Sequence, residues 1–174
     1  MPEPHDHTHD HDHSRCRHSA MARVEQTCAT RGLKMTAPRR DVLDVLLADH
    51  VPMSAYEIID RMAVRGRRPS PISVYRALDF LIGNGFAHRI ESRNAFLACS
   101  HEHGPGDPAV VFLLCESCNV AEEAEPAELL AIIEHIAAGT GFLPSSAVLE
   151  LRGRCRRCRE AEGDAATPAA QTAG

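Results

Sequence analysis

Apolar residues between positions 20 and 85 recur with the period of an α-helix, which predicts four short helices. Thr36 is placed to cap the second helix, and Ser54 with Glu57 three residues later predicts a capping box for the third. Ser70 or Ser73 begins the fourth. The predicted inward positions, helix by helix, are Met21, Val24 and Cys28; Val42, Leu43, Leu46 and Leu47; Ile58, Ile59 and Met62; and Val74, Leu78, Leu81 and Ile82.

The period changes after Gly85. Residues 86–90 and 95–99 are two short apolar runs joined by the turn residues 92–94, so we expect a β-hairpin. Short helices followed by a hairpin predict a winged helix, in which the last helix enters the major groove of DNA and the hairpin wing lies along the backbone.

The second half of the chain predicts a small α+β unit. A continuous apolar strand covers residues 109–114, a second strand covers 119–124, and a third covers 146–151. Pro126 starts an intervening helix. The residues predicted to face inward on this helix are Leu129, Leu130, Ile133 and Ile136. Because the unit is too small to be stable alone, we expect zinc and dimerisation to support it.

The expected fold class is α+β, with an N-terminal winged-helix DNA-binding domain and a small α/β dimerisation domain stapled by a four-cysteine zinc. The predicted divisions are a disordered His-rich tail at 1–19, the winged helix at 20–99, a polar hinge at 100–108, the dimerisation and metal-binding domain at 109–160, and a disordered tail at 161–174.

Charge is distributed unevenly along the chain. The net charge of −5 is the sum of −4 over residues 1–14, +6 over 15–94 and −7 over 95–174. The basic block coincides with the predicted winged helix and suits contact with phosphates. No apolar run is long enough to span a membrane and no secretory signal begins the chain, so we expect a cytoplasmic protein without a membrane partner.

Two Cys-x-x-Cys pairs, Cys115 with Cys118 and Cys155 with Cys158, predict a structural zinc site. Each pair presents two thiolates from a tight turn, and four thiolates satisfy tetrahedral zinc. A redox dithiol is the alternative, but proteins of that class carry one such motif, usually at a helix start. Since 36 residues separate Cys118 from Cys155, the zinc ties the end of the domain to its first hairpin.

A second group of possible ligands surrounds the hinge. His88 lies in the first wing strand, Cys99 ends the second, His101 and His103 follow, and Glu123 comes soon after the first cysteine pair. A thiol, imidazoles and a carboxylate suit a reversible zinc site. Such a site would lock the two halves together only when metal is bound. Taken singly, His88 can equally be a strand residue at the surface and Cys99 a small buried one.

Taken together, these motifs resemble the ferric uptake regulator superfamily, and most closely its zinc-sensing branch, the Zur repressors. The resemblance covers about residues 20–160. It rests on residues 35–40, 54–57, 73–81 and 85–92, on Cys99 and on both cysteine pairs.

The resemblance implies a homodimer with two zinc ions per subunit, one structural and one regulatory. His88, Cys99 and Glu123 match regulatory ligands of the zinc branch. The family places a further His about seven residues before Cys115, where this chain has Pro108. The preferred substitute is His103, with His101 and Asp107 as alternates.

The resemblance also implies how DNA is contacted. Tyr75 and Arg76 would lie on the recognition helix, with Ser73 on the same side of that helix. Tyr56 and Arg39 or Arg40 would contact sugar and phosphate. A tyrosine that merely covers the core is the alternative for Tyr56 and Tyr75.

The expected function is a zinc-responsive repressor, not an enzyme, that binds AT-rich pseudo-palindromic operator DNA of zinc-uptake genes and takes no small organic ligand. One alternative is an iron- or peroxide-sensing member of the same family. Others are a thiol-disulfide oxidoreductase, or a zinc store built on the His-rich tail.

Overall fold

The computed structural model describes residues 13–99, 109–124, 127–143 and 147–163. The chain forms two compact units, Met1–Pro105 and Gly106–Gly174. The tail of residues 1–12, the predicted hinge at 100–108 and the terminal residues 164–174 lie outside the described residues. In the described part of the chain, no helix is both long enough and apolar enough to cross a membrane.

Four helices build the first unit: α1 (His13–Thr30), α2 (Ala37–Leu46), α3 (Ala55–Val64) and α4 (Pro71–Gly83). Helices α3 and α4 begin at predicted N-cap residues. The Ser54 hydroxyl accepts the backbone N–H of Glu57, and the Ser54 backbone N–H donates to the Glu57 carboxylate at 2.7 Å. Ser70, rather than Ser73, caps α4 by accepting the Ser73 N–H at 3.3 Å. Thr36 occupies the N-cap of α2 but makes no side-chain cap hydrogen bond.

Helix α1 begins at His13, so the prediction that residues 1–19 are disordered is wrong for residues 13–19. An ion pair explains the extension better than apolar periodicity does. Arg17 donates two hydrogen bonds to the Asp44 carboxylate on α2, at 2.8 and 3.0 Å. A bidentate pair of this kind fixes one helix against another without an apolar stripe.

One apolar core fills the first unit, and its members lie on the predicted faces. Val45 and Ala77 join the core in addition to the predicted residues, while four predicted residues are only partly buried: Met21, Val24, Leu47 and Ile82. The hairpin strands β1 (Ala87–Ile90) and β2 (Ala95–Ala98) pair antiparallel. Asn94 adopts the left-handed conformation that closes the turn, at φ 46°.

The second unit is a three-stranded sheet with two helices. Its elements are β3 (Ala109–Cys115), β4 (Ala121–Ala124), α5 (Ala127–Thr140), β5 (Ala147–Gly153) and α6 (Arg156–Ala161). The strand order is β4-β3-β5, with β3 antiparallel to β4 and parallel to β5. A parallel neighbour requires a crossover connection, and α5 supplies it.

The inner face of α5 differs from the prediction. Ile136 was expected to face inward, yet 63% of its surface is exposed, while Ala137 is buried. Leu129 and Ile133 are half-buried, and the side chain of Leu130 lies outside the described set. Helix α6 was not predicted, because its six residues carry no apolar period.

Candidate metal centres and nucleic-acid interface

Strand register brings the two Cys-x-x-Cys turns together. Strands β3 and β5 run parallel, and Cys115 at the end of β3 is the register partner of Gly153 at the end of β5. Parallel neighbours end at the same edge of a sheet, so the chain leaves both strands at one place. The Glu116 N–H donates to the Gly153 carbonyl at 2.7 Å and joins the two turns directly. Cys155 follows two residues later as the N-cap of α6.

The four thiols form a compact cluster whose dimensions fit zinc. The Sγ atoms of Cys115 and Cys158 lie 3.8 Å apart, as do those of Cys118 and Cys155. All four sulfurs lie within 4.8 Å of one another. A zinc–sulfur bond of about 2.3 Å places the sulfurs of a tetrahedron about 3.8 Å apart. The sulfurs therefore fit a tetrahedral Zn²⁺ site.

Backbone donors prepare one of these thiols to ionise. Burial acts to raise the pKa of the Cys115 thiol, but hydrogen bonds from the backbone N–H groups of Cys118, Cys155 and Ser117 outweigh it and lower the pKa to about 6. The Cys118 and Cys155 N–H groups lie 3.5 and 3.4 Å from this sulfur. Cys115 is therefore a thiolate near neutral pH even before a metal arrives.

The thiols of Cys118 and Cys158 resist a second negative charge. Burial, followed by the neighbouring thiols of Cys155, Cys118 and Cys115, raises the pKa of Cys158 to about 12. Burial likewise raises the pKa of Cys118. A divalent cation would remove this penalty, since a coordinating thiol is deprotonated outright. The chemistry of the cluster thus favours a bound metal over the metal-free thiols.

The predicted second group divides between the two units. His88 in β1 and Cys99 just after β2 belong to the first unit, and their ligand atoms lie within 4.8 Å of each other. The backbone N–H of Cys99 donates to the Phe86 carbonyl at 3.1 Å, which holds the thiol beside the wing. This wing pair, His88 with Cys99, offers one nitrogen and one sulfur to a metal.

Glu123 lies in β4 of the second unit, opposite Phe112 in the antiparallel register. It is 8% exposed and is the one charged residue that is buried in the described part of the chain. A buried carboxylate is costly unless it is paired or binds a metal. His101, His103 and Asp107, the candidates for the remaining ligand, lie outside the described residues.

The fourth helix has one buried and one exposed face. Val74, Leu78 and Leu81 are buried, and Ala77 joins them. The solvent face holds residues at helical spacing: Ile72, Tyr75, Arg76 and Asp79. Of the three residues of this helix expected to meet DNA, Tyr75 and Arg76 are exposed and Ser73 is half-buried. Tyr75 is 43% exposed, so it does not simply cover the core. Arg76 makes no ion pair with any described residue, and its charge remains available to a ligand.

The other predicted DNA contacts occupy different surroundings. Tyr56 is 66% exposed in the first turn of α3. The Arg40 guanidinium binds the Glu25 carboxylate on α1 at 2.7 Å. The Arg39 guanidinium lies 3.5 Å above the centre of the Phe80 ring, a cation–π contact. Arg39 still lines a surface groove of about 290 Å³ together with Ser73 and Arg76.

Much of the positive charge in the first unit is neutralised away from this groove. Arg61, Arg65 and Arg67, at the end of α3 and in the loop that follows it, form ion pairs with Asp49, Asp44 and Asp41 respectively. The basic loop before α4 therefore braces α3 against α2. Sequence reasoning counted these arginines toward a phosphate-binding face, because charge totals do not show which charges are paired.

Two residues on this surface, Phe80 and Ile72, were not predicted from the sequence. Phe80 holds the Arg39 guanidinium, and Ile72 stands exposed in the same groove as Arg76. The signal for Ile72 was present, since it lies four residues before Arg76 and outside the buried stripe. Nothing in the sequence pairs Arg39 with Phe80, because 40 residues separate them.

A winged helix with an exposed arginine on its last helix, followed by an α/β unit with four thiols arranged for zinc, defines a metal-binding winged-helix protein. The chain belongs to the ferric uptake regulator family, whose model matches residues 30–152. This confirms the family resemblance and the α+β fold class that the sequence predicted.

Relatives extend over most of the chain. It is 35% identical over 143 residues to the zinc uptake regulation protein of Escherichia coli (strain K12), covering 82% of each. It matches a structure of a zinc uptake regulator complexed with zinc and DNA at 31% identity and a TM-score of 0.79, over 84% of this chain and 97% of that one. The crystal structure of holo XcZur matches at 40% identity and a TM-score of 0.72, over 82% and 98%.

Proposed function

We propose that this protein is a zinc-responsive transcriptional repressor that binds operator DNA of zinc-uptake genes when loaded with zinc. The observation that carries the proposal is the wing pair: a histidine and a cysteine within 4.8 Å of each other in the hairpin of a DNA-binding unit. Similarity to zinc uptake regulators over four fifths of the chain supports it. A metal bound at the wing acts directly on the element that flanks the DNA backbone.

Each subunit would hold two zinc ions. The four-cysteine cluster takes the structural ion, which the fit of its 3.8 Å sulfur separations supports. The regulatory ion would use His88, Cys99 and Glu123, with His103 as the fourth ligand and His101 as its alternate. The burial of the Glu123 carboxylate and the nitrogen–sulfur pair of the wing support this assignment. Metal binding then stabilises the conformation that binds DNA.

DNA recognition would divide between reading and positioning. Arg76 and Tyr75, exposed on α4, would reach base edges in the major groove. Tyr56, Ser73 and Arg39 would contact the backbone, and Arg40 would do so after leaving Glu25. The partner is double-stranded operator DNA, and we propose no small organic ligand and no membrane partner. A repressor of this kind would act in the cytoplasm.

A homodimer is the proposed assembly, because the second unit leaves a large apolar surface uncovered. Leu113 and Leu151 are register partners in adjacent strands and are 40% and 55% exposed. Further exposed apolar residues of this unit are Ile132, Ile136, Phe142, Leu143 and Val148. A surface of this kind marks a protein–protein interface, and a second copy would cover it symmetrically.

A thiol-disulfide enzyme is the rival function, and it requires a reactive thiol at the surface. The thiol with the lowered pKa, Cys115, is only 4% exposed. Its position favours metal binding within the cluster over attack on a substrate disulfide. We therefore propose a regulator rather than an enzyme.

The proposal is tested by titrating zinc-loaded protein onto operator duplex while free zinc is varied. Cys99→Ser should shift the zinc dependence of DNA binding to at least about ten-fold higher free zinc, since even changes to groups that support a metal ligand typically cost about 10- to 100-fold in metal affinity. Cys28→Ser is the matched control, because Cys28 is also a buried thiol of the same unit. It should leave the zinc response intact.

Equal affinity and equal zinc dependence for Cys99→Ser and wild type would exclude the wing pair as the sensor. Repeating the titration with Zn²⁺, Fe²⁺ and Mn²⁺ separates this protein from iron-sensing relatives. A thiolate ligand favours zinc over the harder ions. Stronger activation by Fe²⁺ or Mn²⁺ than by Zn²⁺ would contradict the zinc-sensing role.

A further inference from the structure

The exposed face of α4 contains one aliphatic residue, and it stands at the end of the helix that a recognition helix presents to DNA. Ile72 lies in the first turn, directly after Pro71, and is 66% exposed. It is one helical turn before Arg76, so the two side chains share a face. Residues near the N-terminus of a recognition helix are those that contact base edges.

Fold stability does not account for an isoleucine at this position. Its side chain is outside the apolar core that buries Val74, Ala77 and Leu78. Isoleucine also has a lower helix propensity than the straight-chain residues that usually occupy exposed helical positions. The groove around it is also lined by two arginines, Arg39 and Arg76, by the hydroxyl residues Thr36, Ser70 and Ser73, and by Pro38.

We propose that Ile72 is a specificity-determining residue that contacts the C5-methyl group of a thymine in the operator. This proposal rests on the proposed function, because it concerns the same helix. The thymine methyl is the apolar feature of the major groove, and apolar side chains recognise it by direct contact. Cytosine lacks that methyl group, so burial of the thymine methyl against Ile72 favours thymine over cytosine at this position.

The spacing along the helix also locates the thymine. Arg76 is suited to a guanine edge. One helical turn of about 5.4 Å covers between one and two base-pair steps of about 3.4 Å. The thymine read by Ile72 should therefore lie one or two base pairs from the guanine read by Arg76.

Replacing thymine by deoxyuridine tests the contact, because it removes the methyl and keeps the base pair. The probe is a duplex selected from random-sequence DNA by the zinc-loaded full-length protein, with each thymine replaced in turn. Wild-type protein should lose about four-fold in affinity at one thymine per half-site, the effect of one buried methyl group. Ile72→Ala should show no loss there, and Ile72→Val should keep most of it.

Val64→Ala serves as the control, since Val64 is an aliphatic residue that is 89% exposed at the end of α3 and does not line the groove. It should show the wild-type deoxyuridine profile. If wild type binds the duplex but Ile72→Ala loses as much as wild type at every position, the contact does not exist. If wild type selects no duplex in the presence of zinc, the proposed function itself fails. The two failures are thus distinguishable.

Discussion

At the scale of single residues, the structural metal centre depends on where backbone N–H groups point. Cys115 receives three of them, and they hold its pKa at about 6 although burial alone would raise it. Cys158, surrounded by thiols, has its pKa raised to about 12. Residue type and spacing predicted that these four cysteines would lie together. The unequal charges could not be predicted, because they depend on turn geometry set by the parallel register of β3 and β5.

The number of protons released on zinc binding should reflect the difference in pKa between Cys115 and Cys158. Zinc takes up thiolates, so each neutral thiol gives up one proton. At pH 7.5 Cys115 is already ionised, and fewer than four protons should be released per zinc. Below pH 6 Cys115 is protonated, so release should approach four. Calorimetry of metal-free Cys99→Ser protein, in buffers of different ionisation enthalpy, measures the count at the cysteine cluster alone.

The lowered pKa of Cys115 also makes the stability of the folded protein depend on pH. A thiol of ordinary pKa 9.0 that falls to about 6 on folding contributes stability above the higher value and loses it as pH falls through the lower one. Metal-free protein should therefore become less stable as the pH falls from about 9 to about 6. In the calorimetric measurement, release of four protons per zinc both at pH 7.5 and below pH 6 would show that the Cys115 thiolate is not formed.

At the scale of elements, the helix ends that local sequence signals determine could be predicted, whereas those that tertiary contacts determine could not. Ser54 with Glu57 predicted the start of α3 correctly, because both partners lie within one helical turn. The start of α1 depends on Arg17 reaching Asp44, 27 residues away, and was not predictable. Ile136 followed the apolar pattern yet is exposed, because periodicity identifies an apolar face without saying what covers it.

Two N-cap residues of the first unit, Ser54 and Thr36, allow a matched test of capping. Ser54→Ala removes the hydroxyl and its two hydrogen bonds with Glu57, and should lower the free energy of unfolding by about 1 kcal/mol. Thr36→Ala is the control, since Thr36 makes no side-chain cap bond, and should cost far less. Urea denaturation of the zinc-loaded protein compares the two. Equal losses would contradict the capping account.

The cost of Ser54→Ala should also depend on pH. The Ser54 side chain, and then its backbone N–H, lower the pKa of Glu57 by bonding its ionised carboxylate. Stability from this interaction is present above the ordinary glutamate pKa and is lost as pH falls through the lowered value. The difference between Ser54→Ala and wild type should therefore be largest near neutral pH and shrink in acid.

At the scale of the whole molecule, the two units present different kinds of surface. The first covers its core and exposes charged and aromatic groups on α4, as a nucleic-acid interface requires. The second leaves Leu113 and Leu151 side by side on its sheet and further apolar residues on α5. The sequence predicted that this unit needs support, but not which face would receive it, because single-chain periodicity does not separate core from interface.

A charge on the sheet part of this surface should separate the subunits. Leu151→Asp replaces one apolar side chain in each subunit, so a two-fold symmetric interface contains the substitution twice. Losing the burial of two leucines costs roughly 3 to 6 kcal/mol, which raises the dimer dissociation constant at least about a hundred-fold. Sedimentation velocity across a range of protein concentrations measures the shift from dimer to monomer.

Val64→Asp is the matched control, because it places the same charge on an exposed aliphatic residue of the first unit. It should leave the assembly unchanged. Zinc content should also be measured, because Leu151 lies only four residues before Cys155 and loss of metal would itself disturb the unit. A Leu151→Asp protein that keeps its structural zinc and still sediments as a dimer would place the subunit interface elsewhere.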